Sequence, residues 1–424
     1  MTYEETLAHI YALGRFGIKP GLDRITRLLQ SLGNPQDAYR VVHVAGTNGK
    51  GSTASFLSSI MSADGYRTGL FTSPHLISFT ERIRVDGAEI ARERVAGLAQ
   101  TVMDAAPEGS TFFEIVTAMA ALYFAQENAD LAVFEVGMGG RLDASNALQS
   151  ILSVITPVSM DHREYLGDSL DKIAAEKAGI CRRGVPLVCA RQHPAALRII
   201  MDHARVTGSP LYLSPDAFDA RWEGKTLTYR GLHGVYEGIV PGSPGRYQSG
   251  NVACAVAAAE LLSELGFPLL PEAVYSGVAG AVWPGRMELF PGPPRVLLDG
   301  AHNPAGTAAL ADALGEMERD RLFLVLGVMG DKDLIGMLEP LLPLADGVFT
   351  VAPALERASD PAILAEFCRE RGVAAQACSS VADGISEARA TAREGDLIVI
   401  CGSLFTVGEA RGILLSRRFE PFRG

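Results

Sequence analysis

The chain has 424 residues, a length that points to two or three domains and excludes a single small module. With 48% hydrophobic and 21% charged residues and no block dominated by Ser, Pro or one sign of charge, it is a folded globular sequence. The net charge of -11 excludes a main role in gripping nucleic-acid phosphates or anionic lipid, which needs clustered Lys and Arg; a small anion at a local site stays open. The six cysteines form no CxxC pair and no zinc-like spacing, so they read as buried thiols of a reducing compartment. The first residues, MTYEETLAHIYALGRFG, lack the basic and apolar regions of a signal peptide, and no stretch of membrane-spanning length occurs. The expectation is a cytoplasmic protein without nucleic-acid or membrane partners.

Thr2 with Glu5 is a capping-box pattern opening a helix whose Leu7, Ile10 and Tyr11 share one face. Short apolar runs then recur between helical stretches. Val41 to Ala45, Gly69 to Thr72, Leu131 to Val136 and Ile151 to Thr156 read as buried parallel strands. Ser52 to Met61 and Glu114 to Phe124 read as helices between them. This alternation predicts an α/β fold with an open, doubly wound parallel sheet. From about 185 to 245 the chain is irregular, with short alternating pieces such as LTYRGLHGVYEGIV, and a small antiparallel subsheet is predicted there. A helix resumes near Ser249. The stretch WPGRMELFPGPP packs four prolines into twelve residues and is the candidate linker. Beyond it the alternation restarts, with Val296 to Asp299, Leu322 to Gly327, Val348 to Val351 and Leu397 to Cys401 as strands of a second, Rossmann-like α/β domain. The expected division is 1–288, a linker at 289–295, and 296–424.

Ligands of open α/β sheets gather beyond the carboxyl ends of strands, so polar residues after each apolar run are the first candidates. After the first strand stands Gly46-Thr47-Asn48-Gly49-Lys50-Gly51-Ser52-Thr53, running straight into a helix. Glycines admit an anion to the backbone N–H groups, the helix start adds partial positive charge, Lys50 adds a full one, and Ser52 or Thr53 is placed to hold Mg2+. The loop departs from the GxxxxGK[ST] pattern: Val44 replaces the first Gly, and Gly51 separates Lys50 from Ser52. The second strand is followed by Thr72-Ser73-Pro74-His75, which on its own reads equally well as an ordinary proline loop. Glu135 sits near the end of the third apolar run, where a carboxylate needs either a metal ion or an ion pair such as Arg141. Gly137 to Gly140 follow and permit close approach of a ligand. Asp161-His162 follow the fourth strand; His162 either completes a metal site with Glu135 or is a satisfied loop histidine, and Lys177 on the next helix reads alone as solvated. His43, within the first strand, reads as a hydrogen-bonded core residue. In the second half, Asp299 to Pro304 again join a strand to a helix: Asp299 suits a ribose hydroxyl and His302 a phosphate or carboxylate, with a capped helix start as the plainer reading. The loops Gly330 to Asp333 and Gly402-Ser403 occupy equivalent strand ends.

The ordered set HVAGTNGKGS, FTSPHLISFTERI, FEVGMGGRLDASN, MDHREYLGDSLDKIAAEKAGI, WPGRME and LLDGAHNP resembles the folylpolyglutamate synthase/dihydrofolate synthase family of the Mur ligase superfamily. GIKPGLDRITRLLQSLGNP and CGSLFTVGEAR are similar to it as well, so the resemblance spans most of the chain outside about 190–245. It implies an ATP-dependent ligase that joins a pteroate or folate carboxylate to the amine of L-glutamate through an acyl phosphate. By that resemblance Gly46 to Ser52 would cradle the phosphates, and Ser52, Ser73, Glu135 and His162 would hold Mg2+. Lys177 would be the lysine that family members can carbamylate. Asn251 would contact adenine, Arg286 the phosphates, and Asp299 and His302 ribose and phosphate. Phe113, Asp143 and Ala144 would line the pterin pocket and Ser403 the glutamate site. The resemblance also implies a monomer and allows for a monovalent cation. The expected function is bifunctional, with a monofunctional member of the family as the alternative. A muropeptide ligase is disfavoured because only some forty residues precede the phosphate loop. A nucleotide-gated protein without turnover is disfavoured by the joint presence of Lys50, Glu135, His162 and Lys177.

Overall fold

The computed structural model describes residues 2–14, 20–355 and 357–420. Among the described residues seventeen strands form three sheets. The first sheet holds β1 (Arg40–Ala45), β2 (Thr68–Phe71), β3 (Ile83–Val85), β4 (Ala88–Glu89), β5 (Leu131–Glu135), β6 (Ser150–Ile155), β7 (Leu187–Cys189) and β8 (Leu211–Leu213), in the order β4-β3-β2-β5-β1-β6-β7-β8. The strands from β2 across to β8 run parallel, while β3 and β4 turn back antiparallel at one edge. β1 is buried over Val41–Ala45 because helices cover both faces of the sheet, and its side chains therefore need not alternate in polarity.

One face packs the helix Lys50–Ala63 under two further helices, Gln248–Glu264 and Pro271–Gly280, with Phe56, Leu57 and Ile60 in the shared core. The alanines of Gln248–Glu264 and the bare Cα of Gly277, which lies against the Ile60 backbone, let these helices approach closely. The opposite face is covered by the helices Tyr3–Leu13, Asp23–Ser31, Arg92–Ala105 and Phe112–Gln126. The capping box of Thr2 and Glu5 is present.

The region 185–245 corrects the expected picture in its first half. β7, the helix Pro194–Thr207 and β8 extend the main parallel sheet, and only β9 (Asp219–Glu223), β10 (Thr226–Arg230) and β11 (Val235–Ile239) form the separate antiparallel sheet. The third sheet runs β12 (Glu288–Phe290), β13 (Arg295–Leu298), β17 (Leu397–Cys401), β14 (Leu322–Leu326), β15 (Gly347–Thr350) and β16 (Ala375–Ala377). β12 lies in the proline-rich stretch read as a linker and pairs antiparallel with β13, so part of that stretch is an edge strand of the second lobe. Two apolar clusters fill the faces of this sheet. Leu76, from the loop after β2 of the first lobe, is built into one of them. Among the described residues no helix is long and apolar enough to cross a membrane.

Candidate active site

The carboxyl ends of β1, β5 and β6 open onto a cavity of about 360 Å³ whose far wall comes from the second lobe. Gly46 to Ser52, Ser73, Glu135, His162, Lys177, Asn251, Arg286, Asp299 and His302 all line it. Fifteen predicted site residues, widely separated in sequence, thus face one space.

Gly46 and Gly49 have φ of 145° and 86°, a region that side chains rarely adopt, and a Cβ would drive Gly46 into Thr156 and Gly49 into the Asn251 carboxamide. Gly49 caps the helix Lys50–Ala63 without a side-chain acceptor. The amides of Gly49, Lys50, Gly51 and Ser52 meet no acceptor among the described residues, which leaves a helix N-terminus free to receive an anion. Thr47 and Asn48 behave differently. Their amides donate to the Pro157 carbonyl at 2.9 and 3.3 Å, so they shape the loop and leave phosphate contact to the residues after them. Lys50 Nζ donates to the Thr47 carbonyl at 3.3 Å.

Glu135 is buried, and desolvation raises its carboxyl above the ordinary range against the pull of Lys50. The Ser73 amide donates to its Oε2 at 3.1 Å. The alternative partner is taken: Arg141 pairs with Glu176 at 2.7 Å. No cation lies within ion-pair distance of Glu135 among the described residues, so a buried carboxylate faces the cavity without a direct ion-pair partner, Lys50 and Arg286 acting on it only from further off. His162 keeps an exposed edge, yet desolvation holds its imidazole below its ordinary value, with Asp161 opposing. Among the described residues no three His, Cys, Asp or Glu side chains converge into a ready-made metal cluster.

Lys177 is buried, not solvated, and its Nζ donates to the Gly46 carbonyl at 2.6 Å. Burial, helped by the neighbouring Lys50 charge, lowers its ammonium to about 7. In the second lobe, Asp299 accepts from the Tyr247 hydroxyl at 2.9 Å, the Met287 amide at 3.0 Å and the Ala301 amide at 2.9 Å. His302 Nδ1 lies 2.8 Å from the Gly300 carbonyl, an arrangement that places the proton on Nδ1, and burial pushes its imidazole down to about 4. Arg286 packs over Gly300.

Four predicted residues do not line this cavity. Phe113 stacks over Gly137 and lies 5.8 Å from the Phe71 ring. The buried Asp143 carboxylate braces its own loop, accepting from the Met138 amide at 3.0 Å and from the Ser145 amide and hydroxyl. Ala144 opens the short 3-10 turn that follows. Ser403 caps the helix Leu404–Leu414 through the Phe405 amide at 3.1 Å.

Sequence reasoning missed the contacts that join the lobes. Asn48 and Asn303 exchange two amide hydrogen bonds, 3.1 and 2.9 Å. Asp161 accepts from Lys332 Nζ at 2.7 Å and from the Asn303 carboxamide at 3.2 Å, and against its burial the neighbouring His162, His302 and Lys332 hold its carboxyl well below the usual range. Tyr247, Arg84 and Trp283 also line the cavity. Asn48 was singled out for the phosphate cradle, and Asp161, Asn303 and Lys332 lie in the candidate loops, but only the fold shows what they face.

Known families match this arrangement. Residues 44–259 match the Mur ligase middle domain and residues 285–404 the Mur ligase glutamate ligase domain. The chain is 34% identical over 425 residues to the dihydrofolate synthase/folylpolyglutamate synthase of Bacillus subtilis, covering 96% of this chain and 98% of that one. It is 37% identical over 430 residues to a probable bifunctional folylpolyglutamate synthase/dihydropteroate synthase of Haloferax volcanii, covering 97% of this chain but spanning only 50% of that longer protein. Folylpolyglutamate synthase of Mycobacterium tuberculosis complexed with ADP superposes with a TM-score of 0.90 at 34% identity, covering 98% of this chain and 99% of that one. Escherichia coli FolC in complex with DHPP and ADP gives 0.89 at 31%, covering 97% and 98%. The chain belongs to the folylpolyglutamate synthase/dihydrofolate synthase family of the Mur ligase superfamily.

Proposed function

We propose that this chain is an ATP-dependent ligase that forms an amide bond between a pteroate or reduced-folate carboxylate and the amine of L-glutamate, acting both as dihydrofolate synthase and as folylpolyglutamate synthase. The observation that carries the reading is the single cavity in which a free helix N-terminus, Lys50, Glu135, His162 and Lys177 of one lobe face Arg286, Asp299 and His302 of the other. The likeness to relatives so named, and to one solved with DHPP and ADP, supports it.

In the first step a substrate carboxylate oxygen attacks the γ-phosphorus of ATP, forming an acyl phosphate and releasing ADP. The unpaired amides of Gly49 to Ser52 and the Lys50 ammonium neutralise charge on the transferring group. Glu135 fits a divalent cation because it is buried, faces the cavity and has no direct ion-pair partner among the described residues; with Ser52, Ser73 and His162 it would hold Mg2+. Mg2+ usually takes only one or two carboxylates and fills its shell with phosphate and water, so it does not require a larger cluster of side chains. When bound, Mg2+ would supply charge neutralisation for the transferring phosphoryl group.

Lys177, lowered to about 7, exists in large part as a neutral amine near neutral pH, the form that adds CO2 to give a carbamate. That modification would place an anionic group where the cation pair of Lys50 and Lys177 now stands, organising metal and acyl phosphate. Asn251 is assigned to adenine, Asp299 to ribose with Tyr247 beside it, and Arg286 and His302 to phosphate. An approaching polyphosphate would favour the protonated form of His302. In the second step the glutamate amine attacks the acyl carbon and inorganic phosphate leaves. Phe113, Asp143 and Ala144 stay assigned to the pterin end and Ser403 to the glutamate end. In this reading residues 1–288 form the nucleotide lobe and 296–424 the ligase lobe.

Glutamate-dependent ADP release with Mg-ATP tests this, using dihydropteroate, tetrahydrofolate and a UDP-muropeptide as acceptors and recording product masses. A glutamate-sized mass gain on both pterin compounds is expected. Gain on one alone reduces the reading to a single activity, and reaction of the muropeptide alone overturns it.

A further inference from the structure

The loop Thr72 to Arg82 carries Ser73, whose amide holds the Glu135 carboxylate, and it sits between the lobes. Its Leu76 side chain lies in a core cluster of the second lobe, and its Leu76 carbonyl rests on Gly408 of the helix Leu404–Leu414. The segment after that helix returns to the same loop. Phe419 packs on Gly408 and Gly412, and the next residue, Glu420, reaches across to the first lobe.

Glu420 Oε2 accepts from the Phe79 amide at 2.9 Å, the Ser78 hydroxyl at 3.1 Å and the Tyr3 hydroxyl at 2.9 Å, while Oε1 accepts from Arg92 at 2.8 Å. Its backbone closes the contact: the amide donates to the Ile77 carbonyl at 2.8 Å, and the carbonyl lies 2.9 Å from His75 Nε2. Arg82 Nε lies 2.9 Å from His75 Nδ1 and can only donate, so Nδ1 is the acceptor and the imidazole proton is on Nε2, aimed at the Glu420 carbonyl. The Glu420 side chain is only 14% exposed, far too ordered for a fraying tail.

We propose that Glu420 is a positioning residue for the ligase reaction: from the second lobe it fixes the loop 73–82, and through that loop the Ser73 amide on Glu135. This rests on the assignment of Ser73 and Glu135 to the metal and phosphate end of the site. Charge-assisted hydrogen bonds are the stronger kind, and four of them converge here on one carboxylate. The ends of the chain's two lobes are thereby coupled to the geometry of one catalytic carboxylate.

The test compares the wild type with Glu420→Ala, Glu420→Gln and Arg92→Ala. In the nucleotide-free proteins, hydrogen exchange of peptides covering 73–82 is expected to speed up about tenfold or more in Glu420→Ala, with the helix Gln248–Glu264 unchanged. In assays, Glu420→Ala is expected to lower kcat by about tenfold and raise the Mg2+ concentration for half-maximal activity, with the affinity for metal-free ADP kept. Glu420→Gln, which retains an acceptor for the Phe79 amide, should recover part of kcat. Arg92→Ala removes only the half-exposed one of the four bonds and leaves the loop contacts in place, so its kcat and exchange should lie between those of Glu420→Ala and the wild type. Unchanged exchange over 73–82, or a Glu420→Ala enzyme with wild-type kcat and Mg2+ dependence, overturns the proposal. If the wild type itself shows no ligation, the functional reading falls, and the exchange measurement still decides whether Glu420 holds the loop.

Discussion

His43 lies fully buried in β1, and neither ring nitrogen makes a hydrogen bond, the Ser145 backbone being the polar group that faces it. Its position in the core was legible from the apolar run around it. The missing partner was not, because a hydrogen bond depends on what the neighbouring strand brings alongside. Burial pushes its imidazole down to about 3, so the folded protein keeps His43 neutral where the unfolded chain, near 6.5, takes up a proton. The stability this leaves intact is complete above about pH 6.5 and is lost as pH falls from there towards about 3. Between pH 7.5 and 5.5 this one group should cost about 1 kcal/mol of unfolding free energy. In urea denaturation at both pH values, His43→Leu should therefore lose about 1 kcal/mol less than the wild type over that interval. Equal losses in the two proteins would mean that His43 titrates normally. Lys177 teaches the same lesson in reverse: on sequence alone it is a solvated helix lysine, and only the fold shows that its ammonium points inwards at Gly46.

At the scale of elements, the strands that carry the site were legible because each is an apolar run closed by glycine or a polar residue, and the helices because their apolar residues recur at helical spacing. The elements that escaped are short. β7 and β8 have three residues each, too few for a period to show, and the helix Pro194–Thr207 between them sits in a region read as irregular. β12 escaped because the prolines around it signal a linker more strongly than Glu288–Phe290 signal an edge strand. What sets the phosphate loop in place is the helix Lys50–Ala63, and its packing turns on Gly277, where a Cβ would overlap the Ile60 backbone. Gly277→Ala should destabilise by about 1–3 kcal/mol despite alanine's better helix propensity, because backbone cannot step aside as a side chain can. Gly280→Ala, whose Cβ would meet only Ser59 Oγ at 3.6 Å, should be neutral. Denaturation midpoints of the two variants decide it: similar midpoints would show that the helix pair has slack.

For the whole molecule, the groups proposed for catalysis come from motifs that a sequence displays one at a time, and the cavity they share is lined from both lobes. The join is polar where it touches the site. Asn48 of the phosphate loop and Asn303, the cap of the helix Pro304–Gly315, are tied by paired amides, and Asp161 next to His162 is held by Lys332 of the second lobe. Breaking the ion pair by removing one partner leaves a carboxylate largely out of water, so Lys332→Met should cost more than Lys332→Met combined with Asp161→Asn. The coupling between the two substitutions should amount to about 1–3 kcal/mol in unfolding free energy, and a value near zero would place Lys332 outside the join. Because each lobe keeps its own core, such variants should still fold while the lobes meet less firmly. ADP contacts on the first lobe would survive, whereas the rate of ligation, which on the proposed reading needs Arg286, Asp299 and His302 brought against Lys50, should fall. A calorimetric ADP affinity within a few-fold of the wild type, beside a kcat lowered by about tenfold, is the expected signature of a site whose chemistry waits on the closing of the lobes.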